Sequence, residues 1–259
     1  MKTRIFSALS LLVMLMMACS LSAGQTPQAT AEVAGPPTPT PPPDPVPVSF
    51  NDGLASLNSY RLTIMFKSSG PGPAQSSTTI IESQRSSDTD ASATHITATV
   101  VSPDGGDPET SDTTMYDIGN DQCSGSDVDG WEWTSTTPAE AEMQGLVNSM
   151  LGMTPVIDDP VFAATATVNG VPTNHFSFQV SGLGTSSGSI VNINQGDYWL
   201  AVDGQYIVKY LLILEMSEAA NSNVLHQEIT IEMNDINQPV SIAFPQGCLD
   251  MAPPPTTTP

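Results

Sequence analysis

Over most of this chain apolar and polar residues alternate with a period of two. In Tyr60-Arg61-Leu62-Thr63-Ile64-Met65-Phe66-Lys67 the side chains of Tyr60, Leu62, Ile64 and Phe66 fall on one face. Ile96, Ala98 and Val100 alternate with His95, Thr97 and Thr99, and Phe176, Phe178 and Val180 alternate with His175, Ser177 and Gln179. Leu225, Ile229, Ile231 and Met233 do the same against His226, Glu228, Thr230 and Glu232. Successive side chains of an extended strand point to opposite faces, so each run predicts a strand with one face buried and one wet, the signature of an antiparallel sheet. Breaks at Ser69-Gly70-Pro71-Gly72, Pro103-Asp104-Gly105-Gly106, Asp129-Gly130 and Asp203-Gly204 predict the hairpin turns and loops between them.

Tyr206 to Met216 departs from that rule by being apolar on both faces. Tyr206, Val208, Tyr210, Leu212 and Leu214 lie on one side, Ile207, Leu211 and Ile213 on the other. A strand between two layers requires this, and so does the wall of an apolar cavity. Aromatic residues gather nearby in Tyr198-Trp199-Leu200, and in Trp131 and Trp133 flanking Glu132.

Two segments carry helical spacing. Phe50 to Leu57 predicts a short helix with Ser49 as its N-cap. The stronger one spans 138–151: Thr137 can cap it, Pro138 suits the first turn, and Glu140 completes a capping box. Met143, Leu146, Val147, Met150 and Leu151 then make one apolar face, and Gly152 and Pro155 end the helix. A long antiparallel sheet with few helices is an α+β domain, and the helix must cover part of the sheet's apolar face.

This domain, residues 49–250, is bracketed by segments of another kind. Lys2 and Arg4 precede a short apolar run that ends in Met17-Ala18-Cys19. The run is below the ~20 residues of a spanning helix, so residues 1–18 read as a removable export signal. A small residue directly before a cysteine resembles the end of a bacterial lipoprotein signal, which implies acylation of Cys19; an ordinary secretory signal is the alternative. Residues 20–48 are rich in Pro and Thr and too poor in apolar side chains to form a core, so they read as an extended tether behind Cys19. Residues 251–259 form a similar tail. The expected location is extracytoplasmic, anchored by lipid to the cell membrane or outer membrane.

Charge narrows the partners. The chain holds 6 Lys and Arg against 27 Asp and Glu, a net −21, and loss of Lys2 and Arg4 leaves −23. Such a surface repels phosphate backbones, so nucleic acid is excluded as a partner, and membrane attachment must come from acyl chains rather than a basic patch. With Cys19 set aside, Cys123 and Cys248 are an even pair in an oxidising compartment and predict a disulfide; two free thiols or a two-ligand metal site are the alternatives. His95, His175 and His226 show no ligand spacing with either cysteine, so no metal and no cofactor is expected.

Two motifs suggest chemistry and fail on context. Gly184-Thr185-Ser186-Ser187-Gly188 has the form of a nucleophile elbow, with Asp197 or Asp203 and His226 following in order. It lies in a Gly/Ser run between two strand patterns rather than on a strand-to-helix turn, so catalysis is not expected. Asp127-Val128-Asp129-Gly130 resembles part of a calcium loop, but Gly125 and Thr136 occupy the first and last ligand positions; a solvated hairpin turn fits better.

The order of parts carries a family resemblance. Ser59-Tyr60-Arg61-Leu62 is followed by Met115-Tyr116-Asp117-Ile118-Gly119, Gly130-Trp131-Glu132-Trp133, the 138–151 helix and Val168-Asn169-Gly170-Val171-Pro172. Asp197-Tyr198-Trp199-Leu200 and Asn234-Asp235-Ile236-Asn237-Gln238-Pro239 complete the series. This resembles the LppX/LprG lipoproteins and, more distantly, the LolA/LolB carriers. The resemblance implies an unclosed antiparallel half-barrel whose concave face is covered by one or two helices around a cavity for acyl chains. Leu62, Ile64, Phe66, Met143, Leu146, Val147, Met150, Phe176, Phe178, Trp199 and Leu212 are the expected cavity lining. The expected ligand is a lipid, glycolipid or lipidated protein. The alternative is a structural or interaction module of the envelope with a filled core.

Overall fold

The computed structural model of the chain describes residues 53–70, 76–101, 106–135, 157–180, 189–218 and 224–253. Eleven strands follow one another: β1 (Ser59–Ser69), β2 (Ser76–Ser86), β3 (Ala91–Val100), β4 (Glu109–Ile118), β5 (Asp121–Ser126), β6 (Gly130–Ser135), β7 (Asp158–Val168), β8 (Val171–Gln179), β9 (Ser189–Ala201), β10 (Ile207–Glu218) and β11 (Val224–Asn234). They form one antiparallel sheet in the order β6-β5-β4-β3-β2-β1-β11-β10-β9-β8-β7. Each strand lies beside its sequence neighbour, except that β1 joins β11 in the middle and β6 and β7 become the two edges. The result is an unclosed α+β half-barrel sheet.

Turn chemistry sets the register. Asn169 and Gly170 join β7 to β8 with φ of 51° and 82°, the left-handed pair that a two-residue type I′ hairpin demands. The Asn169 side-chain amide donates to the carbonyl of Met233 on β11, so the sheet curls enough for the tip of its edge hairpin to reach a strand well inside it. Asp127 to Asp129 form the turn between β5 and β6, where the Asp129 amide donates to Ser126 Oγ and Trp131 Nε1 donates to Asp127 Oδ1. That is the solvated hairpin expected from the sequence.

The N-terminal helix is shorter than its pattern suggested. Only a 3-10 turn, Leu54–Ser56, stands among the described residues of 50–57, because Gly53 is left-handed at its start and Leu57 is already extended. Leu54 and Leu57 nonetheless pack against the core. The 138–151 helix, the 1–48 leader and tether, and Gly184–Gly188 lie outside the described residues. No described helix is long and apolar enough to cross a membrane.

The two faces of the sheet differ. The core lies on the face of Tyr60, Leu62, Ile64, Ile81, Phe176, Tyr198, Tyr210, Leu212 and Ile231, each no more than 8% exposed. At roughly 1.5–3 kcal/mol for each large apolar side chain buried, this face dominates the stability of the sheet. The opposite, outer face is largely ionic: Arg61 pairs with Asp235, Lys67 with Glu228 and Lys209 with Glu232, while His175 hydrogen-bonds Asp197.

One corner of the outer face is apolar. The chain leaves β11 through Asn237 and Gln238, whose backbone groups bond Ser59. It reaches β5 at Cys248, which is bonded to Cys123. Ten residues thus cross the ends of β2, β3 and β4 as a strap that terminates in helix α1 (Gln246–Met251). Phe244 on the strap packs on Trp133 at 4.6 Å and Tyr116 at 6.3 Å, and Gly247 lies directly against the Trp131 indole. A Cβ at Gly247 would overlap that ring, so the helix can come this close only because Gly stands there.

Candidate functional site

Cross-strand register assembles one apolar row from residues far apart in sequence. Phe162 lies opposite Phe176, Phe176 opposite Tyr198, Tyr198 opposite Tyr210 and Tyr210 opposite Ile231. The row continues through Ile64, Ile81 and Ile96 and ends at the polar Thr113 of β4. Eight strands separated by ~4.8 Å make an apolar track about 34 Å long. A second row beside it runs Phe178, Gly196, Leu212, Ile229 and Phe66 before turning polar at Thr79.

The aromatic end of the track is closely stacked. Phe176 and Tyr198 lie 5.0 Å apart and nearly parallel, Phe162 meets Phe176 edge-on at 5.8 Å, and Phe178 bridges Tyr198 and Tyr210 at 5.9 and 5.4 Å. Burial pushes the Tyr198 hydroxyl up to about 12 and raises that of Tyr210 as well. The Tyr198 Oη is buried without a hydrogen-bond partner among the described residues, an unusual state for a phenol. Tyr60 is also raised by burial, against which Arg85, facing it from β2, lowers the value. On β2 and β3, Ser83 and Thr94 of the same face share a buried hydrogen bond of 3.1 Å.

Of the cavity residues expected from sequence, Leu62, Ile64, Phe176, Phe178 and Leu212 stand on this face and in its core, with Phe66 partly buried against it. Leu62, Ile64, Phe176 and Leu212 are at most 2% exposed, closed to solvent rather than lining an open space. Met143, Leu146, Val147 and Met150 lie outside the described residues. Trp199 is a correction. With Tyr198 and Leu200 turned inward, it faces outward, stacked on His175 at 4.4 Å beneath the ammonium of Lys209. Its apolar neighbours in sequence suggested burial, but strand alternation puts it on the ionic face.

A cleft of about 800 Å³ opens at the start of β7, the end of β8 and the first half of β9. Phe178 and Val180 are in its wall with Val161, Ile193 and the amides of Gln179 and Asn194. Asn194 fixes this end of β8, accepting from the Val180 amide at 2.8 Å and donating to the Val180 carbonyl at 2.6 Å. Phe178 therefore belongs both to the closed core and to the open cleft. The period-two pattern located Phe178 on its face, but nothing local in the sequence announces a cleft assembled from three strand ends.

The remaining candidates separate. Asp197 bonds His175 at 2.8 Å, not His226 of β11, which lies across from Glu215 of β10. No group of three or more His, Cys, Asp or Glu stands in a metal-holding arrangement among the described residues.

No protein-family model matches the chain, and no curated protein does. Solved structures similar to it include LprF from Mycobacterium bovis, at 13% identity over 75% of this chain and 93% of that one, with a TM-score of 0.36. Another is MucB in complex with MucA(peri), at 13% identity over 70% and 51%, with a TM-score of 0.27. A DUF1329 family protein from Desulfovibrio piger matches at 8% identity over 73% and 88%, with a TM-score of 0.20. At those values none of them identifies a family.

Proposed function

We propose that the chain is an exported lipoprotein, anchored through Cys19 on its Pro-rich tether, that shelters acyl chains of a lipid, glycolipid or lipidated protein against the inner face of the half-barrel. The supporting observation is the apolar track from Phe162 to Ile96, unbroken across eight strands and longer than a common acyl chain. Each methylene moved from water onto such a face gains ~0.8 kcal/mol, so binding needs no charged contact and no chemistry on the ligand. Because the track is closed to solvent, loading requires that whatever covers it move aside.

The same closure supports a second reading, a structural or interaction module whose core is filled by its own side chains. Native mass spectrometry of the domain purified from membranes, with lipid extraction, separates the two. Acyl-bearing mass that co-purifies, or uptake of a fluorescent long-chain fatty acid by the delipidated domain, supports the carrier. Absence of both leaves the filled core. Independently, Cys19→Ser should release a soluble chain or leave the signal uncut, and a wild-type chain without acyl mass at Cys19 refutes the anchor.

A further inference from the structure

The protein treats the two edges of its sheet differently. β6 is six residues long, α1 packs against it, and the Cys123–Cys248 bond ties that corner down. β7 is eleven residues long, and Ala163, Ala164, Thr165, Ala166 and Thr167 are all exposed. An edge strand presents a row of N–H and C=O groups that lack partners, and native edges are usually blunted by Lys, Pro or bulges. On β7 the only proline, Pro160, and both register irregularities fall in the first half. From Ala164 to Val168 the pairing with β8 is regular, and no charged residue interrupts 160–168. The open cleft adjoins the first half of the same strand, where Val161 is 64% exposed.

We propose that β7 is a docking edge that takes an extended, uncharged or basic segment of another protein as an added strand, with an apolar side chain of that segment seated in the cleft. Main-chain bonds to Ala164–Val168 would supply affinity, and the cleft would select among side chains. Charge fixes the sign of the partner: the chain carries −21, and Asp159 is the charged side chain in the cleft wall. The same charge disfavours a second copy. Pairing along one strand also falls well short of the ~800 Å² per partner that a stable dimer buries.

The probe is an eight-residue synthetic peptide of alternating valine and threonine with lysine at both ends, titrated onto the full chain in detergent. A matched peptide with glutamate ends is the control. The expected result is saturable binding of the lysine peptide, at least about tenfold tighter than the glutamate peptide at low salt. Amide-exchange protection should appear in 161–168, and Thr165→Lys with Thr167→Lys should abolish both effects at an unchanged melting temperature. If the double variant does not fold, protection of 161–168 in the wild type decides alone. No saturable binding, equal affinity for the two peptides, or protection confined to other strands overturns the proposal. So does concentration-dependent dimerisation that the double variant removes, which would make the occupant a second copy.

Discussion

Gly196 offers the sharpest test of the aromatic packing. It lies directly across from Phe178, whose ring covers it, so a methyl group there would overlap Cζ and Cε1 and stand 2.6 Å from Cε2. The ring is 4% exposed and held between Tyr198 and Tyr210, so it can yield only toward the cleft. Overpacking of this kind costs about 1–3 kcal/mol. Replacing a strand glycine returns roughly 0.5–1 kcal/mol of backbone entropy, too little to offset it. Gly196→Ala should therefore destabilise by about 1–2 kcal/mol, which lowers the melting temperature of a domain this size by about 2–8 °C. Phe178→Leu alone removes packing and is destabilising too, but combined with Gly196→Ala it makes room for the methyl. The double-mutant cycle should show a favourable coupling of about 1 kcal/mol or more. A Gly196→Ala protein that melts with the wild type, or a strictly additive pair, refutes the claim that the Phe178 ring is wedged.

Two further predictions concern the same sheet. The Tyr198 hydroxyl has its folded value raised to about 12 against about 10 in the unfolded chain, so its contribution is whole below pH 10 and lost as pH rises toward 12. That loss reaches up to about 3 kcal/mol, and Tyr198→Phe should flatten it in urea melts. Because the hydroxyl has no partner among the described residues, the same variant should be neutral or stabilising at pH 7, and a loss above about 1 kcal/mol there refutes the assignment. The Cys123–Cys248 bond spans 125 residues, a loop worth at most about 5 kcal/mol in the chain-entropy model. Cys123→Ala with Cys248→Ala should lower the urea midpoint accordingly, and an unchanged midpoint would show that the bond adds nothing to the packing of the strap.

The strands were legible because alternation is a local signal. The faces of β1, β8 and β11 follow from the residues that alternate in each, and the disulfide from the even remainder of cysteines. Trp199 was misplaced because its aromatic character outweighed its parity between Tyr198 and Leu200. What could not be read locally is pairing. The row from Phe162 to Ile96 joins residues up to 167 positions apart, Ile64 and Ile231, through contacts that only register defines. The strap and α1 were missed for another reason: Gln246 to Met251 is too short to show a period, and its anchoring contacts are Phe244 and Gly247 on a distant pair of tryptophans.

The asymmetry of the edges also bears on how a closed core could admit a ligand. On the β6 side, displacement of β5 or β6 must drag the strap, since Cys248 and Phe244 hold it against Cys123 and Trp133. On the β7 side the described ties are hydrogen bonds and packing: the β7–β8 and β8–β9 ladders, the Asn169 contact to Met233, and Phe176 between Phe162 and Tyr198. Segments held by few contacts open at lower free energy than the sheet as a whole. The aromatic end of the apolar track and the cleft both lie at that hairpin, which no covalent tie holds among the described residues, so opening there uncovers Phe176 and Phe178 before any residue of β1. A carrier built this way loads from β7. Amide exchange in β7 and β8 should then exceed that in β1 and β11 and slow when an acyl chain binds; uniform exchange across the four strands would refute this route.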